Sequence, residues 1–163
     1  MEALREMFRY HTWATRVLID NCAGHPASTL DEIVAGTDRS ILQTLTHVLR
    51  GGHRYLELLT GEPAADPIRQ DEVLPLASLR RHLETQAERW EAVLDRFAEL
   101  DVTLPADEEG PAIPQAQYLL VLQAIQHGID HRSQICTTLS VLGLEPPIMD
   151  GWAYWAAMHP PGV

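Results

Sequence analysis

Apolar residues recur three and four positions apart along four long segments of this chain, and strictly alternating runs are nearly absent. That periodicity puts one apolar stripe on each of several helices and offers no half-buried face for a sheet. Breakers separate the segments: Gly24 with Pro26, Gly61 with Pro63, and a run containing Pro105, Gly110, Pro111 and Pro114. The first helix is expected over Glu2 to Asn21, with Leu4, Met7, His11, Ala14 and Leu18 on its inner row. A polar stretch, Thr29 to Arg39, leads to a second helix over Ser40 to Leu59, capped by Ser40 or Asp38. The third, over Leu76 to Glu99, turns Leu79, Leu83, Ala87, Trp90 and Leu94 inward. A fourth runs from Gln115 to Leu142 and stops at Gly143. Val102 to Leu104 reads as a short strand, and a last helix over Trp152 to Met158 is expected to bring Trp152 and Trp155 into the core. The pattern is an all-α four-helix bundle with at least one crossover connection and a short C-terminal helix, in a single domain over residues 1–163.

Composition narrows what such a bundle does. Acidic residues outnumber basic ones 23 to 12, giving a net charge of −11, so phosphate backbones and anionic lipid surfaces are repelled: no nucleic acid and no membrane are expected as partners. All the basic residues are Arg, and without Lys there is no phosphate-loop lysine, Schiff base or Ser-Lys dyad. Cys22 and Cys136 are too few for a disulfide framework and lie at apolar helical positions, which marks them as small core residues. The charged opening of the chain has no apolar leader segment, and the expected location is cytoplasmic.

Histidine is the enriched functional type, with eight copies. His127 and His131 stand at i and i+4 in the fourth helix, one turn apart on one face, where two ring nitrogens can reach one ion. The spacing alone is weak, since eight His placed at random in this length give roughly 0.4 such pairs. Placement adds weight: both interrupt the apolar row Leu120, Ala124, Ile135, Thr138 and Leu142. Imidazoles facing an interior need partners, either a shared metal or separate hydrogen-bond acceptors across the bundle. A third ligand has to come from another helix, with His11, His47, His53 and His82 as candidates. Periodicity favours His11, on the inner row of its helix, over His47, which lies roughly 150° from its helix's stripe. His25, His53 and His82 read as solvated and His159 as mobile, and Asp130 points away from the pair's face.

Three segments in order, Tyr10-His11-Thr12-Trp13-Ala14, Thr44-Leu45-Thr46-His47-Val48 and His127-x-x-x-His131-Arg132-x-Gln134, resemble the DinB/YfiT-like superfamily. The likeness runs on through the turn Leu142-Gly143-Leu144-Glu145-Pro146-Pro147. It implies a three-His metal site inside the bundle, which carries over onto His47, His127 and His131, and it chooses His47 against the periodicity. The ion would be divalent, with Zn, Ni and Fe all compatible with imidazole ligands. Three imidazoles leave a coordination position open, as catalytic sites do. The resemblance implies metal-dependent hydrolysis or S-transfer with a low-molecular-weight thiol, acting on a small-molecule substrate. A non-catalytic metal- or ligand-binding bundle linked to stress responses is the alternative from another class. His11 is the candidate catalytic residue, as a proton acceptor near the metal.

A homodimer through helix faces is expected from the resemblance and from Leu58, which lies opposite Leu45 and Leu49 on the second helix. Light scattering at micromolar concentration should give the mass of two chains; a monomer mass contradicts the expectation.

Overall fold

The computed structural model describes residues 1–106, 108 and 110–160. Asp107 and Glu109 of the expected loop, and residues 161–163 of the expected domain, lie outside the described residues. Among the described residues six α-helices follow one another: α1 (Glu2–Cys22), α2 (Ala27–Leu30), α3 (Ile41–Thr60), α4 (Leu76–Asp95), α5 (Ala116–Val141) and α6 (Gly151–Met158). None is long and apolar enough to cross a membrane, among the described residues.

Local chemistry sets the ends. Ser40 caps α3 reciprocally, its hydroxyl accepting from the Gln43 amide while the Gln43 side chain accepts from the Ser40 amide. Gly61 closes the same helix at φ 75°, which only glycine adopts without strain. The third expected helix stops sooner than its pattern: α4 ends at Asp95, and a short 3-10 turn, Phe97–Glu99, seats Phe97 in the core. The expected strand shrinks to one bridge between Leu104 and Ile113. The short α2 breaks what reads as a polar connection, and it buries Leu30.

Both α1 and α3 pack against α4 and α5, so α1 faces α3 across the bundle's diagonal, as α4 faces α5. Two of the connections between long helices therefore cross the bundle. The core is divided. One cluster gathers Leu18, Ile19, Ile41, Leu45, Leu79 and Ile135, and the other gathers Phe8, Leu56, Trp90, Leu94, Leu120 and Val121. Along each long helix a short polar stretch separates the two: His11 and Thr15 on α1, Gly51 to His53 on α3, Gln86 on α4, and His127 to Arg132 on α5.

Expectations for the last helix and for three histidines need correction. Trp152 and Trp155 are 84% and 61% exposed. At about 100° per residue a two-turn helix presents one narrow face, and α6 spends it on Tyr154, which packs against Tyr10 and Trp13 and donates to Glu6 at 2.5 Å. Leu58, offered as part of a dimer face, is half-buried against the second cluster. His53 and His82 are buried, not solvated, and lie 3.1 Å apart between α3 and α4. Next to them, Gln86 donates to the Leu49 carbonyl. His159, expected to be mobile, bonds the Trp155 carbonyl and stacks on its ring.

Replacing Ser40 by Ala removes one partner of the capping pair and should lower unfolding free energy by about 1 kcal/mol. Leu45→Ala, at a fully buried position, should cost about 2–5 kcal/mol. Urea titration of the two variants checks both, and equal losses would contradict this account of α3.

Candidate metal centre

His47 on α3 meets the pair from α5. Its Nε2 lies 3.1 Å from Nε2 of His127, its ring stands edge-on to His131 with centroids 4.7 Å apart, and one nitrogen from each of the three falls within 4.8 Å of the others. The arrangement is local to begin with: an i, i+4 step stacks His127 above His131 on α5. It becomes a cluster because α3 packs directly on α5. Gly51 permits the approach, since a Cβ there would stand 2.7 Å from Cε1 of His127. Gly128 plays the same part on the other flank, where a Cβ would collide with the ring of His11.

A hydrogen bond orients one of the rings. Nδ1 of His131 donates to Oε1 of Gln134 at 2.7 Å, which leaves the lone pair on Nε2. Nη2 of Arg50 lies 3.4 Å from Nδ1 of His47, a long contact. Burial holds the rings neutral: His47 and His127 are both pushed down from 6.5 to about 4, first by desolvation and then by neighbouring imidazoles. Uncharged rings with inward lone pairs are the form in which imidazole binds metal. Three such ligands bonding one first-row ion at ~2.0–2.1 Å would stand roughly 3.3 Å apart, close to the one ring-nitrogen separation given above. The donor set fits a divalent cation.

His11 lies beside this cluster, not in it. Nη1 of Arg132 approaches Nδ1 of His11 at 3.3 Å and donates to the Thr15 hydroxyl at 3.1 Å. A guanidinium can only donate, so Nδ1 of His11 accepts and the ring proton sits on Nε2. Burial, then Arg132, then His127 press His11 down to about 3. Arg132 is itself buried, and among the described residues it forms no ion pair. Asp130 is exposed, as its place on the helix predicts. Cys22 is buried and its thiol is raised to about 12 by desolvation, so it is an inert core residue.

Sequence reasoning passed over Arg50, and over Gly128 as a seat for a ring. A signal existed: glycine inside a helix costs about 1 kcal/mol relative to Ala, so Gly51-Gly52 in mid-helix marks a close approach. The wheel misplaced His47 because α3 is covered on two sides, by α4 and α5 within the bundle and by the connection over residues 61–75, so its buried arc exceeds one stripe. That connection and α3 enclose a cleft of about 540 Å³ whose walls include His47, Gly51, Tyr55 and His127.

A helical bundle with a three-His cluster, two of whose rings line a cleft, is compatible with a metal-binding protein. The DinB family model matches residues 1–161, and the chain belongs to the DinB family. No curated protein matches it significantly.

Four partly or fully buried histidines give the metal-free chain a pH signature. His47, His53 and His127 are lowered to about 4 and His11 to about 3 in the folded state, from 6.5. Between these values the unfolded chain binds protons that the folded chain refuses, so stability falls as pH drops below about 6.5 and is unaffected by these groups above it. Urea midpoints of chelator-treated protein should decline steadily from pH 7 to pH 5. A flat profile would contradict the burial of these rings.

Proposed function

We propose that the chain is a metal-dependent enzyme acting on a small molecule, with His47, His127 and His131 holding one divalent ion. The observation that carries this reading is the position of the cluster: His47 and His127 stand on the wall of a cleft, not in a sealed core. A structural site closes its ion with four protein ligands, whereas a three-imidazole site with two of its rings on a cavity leaves room for a reactant. When bound, the ion supplies Lewis acidity, drawing the pKa of a water or thiol towards neutrality, which serves hydrolysis and S-transfer alike.

The protein's own residues do the rest. Gln134 fixes the tautomer of His131, and Gly51 sets how closely His127 approaches α3. Gly128 keeps His11 and Arg132 pressed against α5. Because Arg132 occupies Nδ1 of His11, that ring is left to donate through Nε2–H alone, and its low proton affinity keeps it neutral. In this proposal His11 therefore works as a hydrogen-bond donor, not as the proton acceptor its inward row suggested. A small-molecule substrate suits a cleft of about 540 Å³. A low-molecular-weight thiol as co-substrate belongs to the same proposal and rests on the family resemblance alone.

Elemental analysis of untagged protein should find one divalent ion per chain. His127→Ala and His131→Ala should abolish it, Gly51→Ala should weaken it, and His82→Ala should leave it intact. Activity screened against thiols and electrophiles should vanish on chelation and return with metal. Unchanged metal content in His131→Ala sinks the ligand assignment, and metal uptake without turnover across the panel favours a binding protein over an enzyme. His11→Gln, which keeps a donor, should retain more turnover than His11→Ala at equal metal content.

A further inference from the structure

We propose that the cleft beside the three-His cluster binds the carboxylate of a small-molecule substrate, with Arg50 as the residue that grips it. Its place next to the reacting centre rests on the metal-dependent reading above.

Charge is the first observation. In a chain with 23 acidic and 12 basic residues, three arginines, Arg39, Arg50 and Arg54, line this one cleft, together with a single carboxylate, Glu57. Arg39 is paired with Asp38 at 3.1 Å and Arg54 with Glu57 at 3.3 Å. Arg50 forms no ion pair among the described residues. A half-buried guanidinium without a counter-ion, inside a cavity, is a place for an anion to bind.

Pre-organisation is the second. Nη1 of Arg50 donates to the carbonyls of Arg69 at 3.3 Å and Gln70 at 3.1 Å. Those bonds fix the plane of the group and tie it to the connection that walls the cleft, while Nε and Nη2 keep hydrogens to give.

The third observation is a mismatch that an acceptor relieves. Nε2 of His47 is turned to His127, so a His47 that ligates through Nε2 carries its proton on Nδ1. That N–H then faces Nη2 of Arg50 at 3.4 Å, donor against donor. A carboxylate oxygen at this edge accepts from both groups, and it brings the negative charge that a neutral amide of the same shape lacks. The net charge of −11 and Glu57 at the rim weigh against a doubly charged phosphate.

Calorimetric titration of the full chain with benzoate, benzamide and inorganic phosphate, on zinc-loaded and on chelator-stripped protein, tests the proposal. Benzoate should bind roughly tenfold or more tightly than benzamide, with phosphate weaker than benzoate. Arg50→Gln should lose roughly tenfold for benzoate and nothing for benzamide while its zinc content stays at the wild-type value, and Arg50→Lys should recover part of the loss. Direct coordination of benzoate by zinc would survive Arg50→Gln, so that outcome overturns the role of Arg50. Equal binding of benzoate and benzamide, or phosphate displacing benzoate, overturns the carboxylate subsite. Should Arg50→Gln fail to fold, added chloride replaces it: the preference of the wild-type chain for benzoate must shrink with salt, and a salt-independent preference refutes the proposal. A chain that takes up no zinc refutes the metal reading instead, and the comparison on stripped protein then decides this one by itself.

Discussion

A layer of polar side chains crosses the middle of the bundle, and each of the four long helices is fitted around it. Arg132 joins α5 to α1 through His11 and Thr15, His127 joins α5 to α3 through His47, and the His53–His82 contact with the Gln86 bond to the Leu49 carbonyl joins α3 to α4. Buried polar groups cost free energy unless each finds a partner, and those partners stand on neighbouring helices. The layer therefore fixes the axial register of the helices in a way that leucine against leucine does not. It also divides the apolar core into two clusters.

The layer is costly, and the surrounding structure carries that cost. Arg132 is a buried charge, a placement that loses several kcal/mol of solvation. The imidazoles are kept neutral by desolvation and so resist protonation. Stability comes from the clusters on either side, where residues such as Leu18, Leu45, Leu56 and Leu79 are fully buried. Ion pairs on the outer face of the α1–α4 contact, Arg5 with Asp95 at 2.8 Å and Arg9 with Glu91 at 3.0 Å, add little, because exposed pairs are worth ~0–1 kcal/mol. A well-packed scaffold that holds a costly polar centre in place is the arrangement a functional site needs.

Glycine is what lets ring meet helix at this level. Where a Cβ at Gly51 or Gly128 would strike an imidazole, its absence brings helix and side chain within contact distance. The same closeness opens the cleft, since α3 shows its glycine flank and its arginines to the connection that follows it. Ligand geometry, access and local positive charge are thus consequences of one packing choice along α3.

Much of this was legible in the residues. Apolar steps of three and four, broken by glycine and proline, determine four long helices, and Ser40 and Gly61 mark the ends of α3 by their own chemistry. The pair His127 and His131 follows from helical geometry alone. The third member does not: a helical wheel ranks His11 above His47, and it was the resemblance that chose His47. Tertiary structure decided that α3 is covered on two sides, that His53 and His82 bury each other, and that α6 turns Tyr154 inward and leaves its tryptophans outside. The physical reason is range. Periodicity records how a residue stands relative to its own helix, over a few turns of hydrogen-bonded backbone, whereas a site made from α1, α3 and α5 depends on which helices are neighbours, and that is settled only when loops cross and the two clusters close around the polar layer.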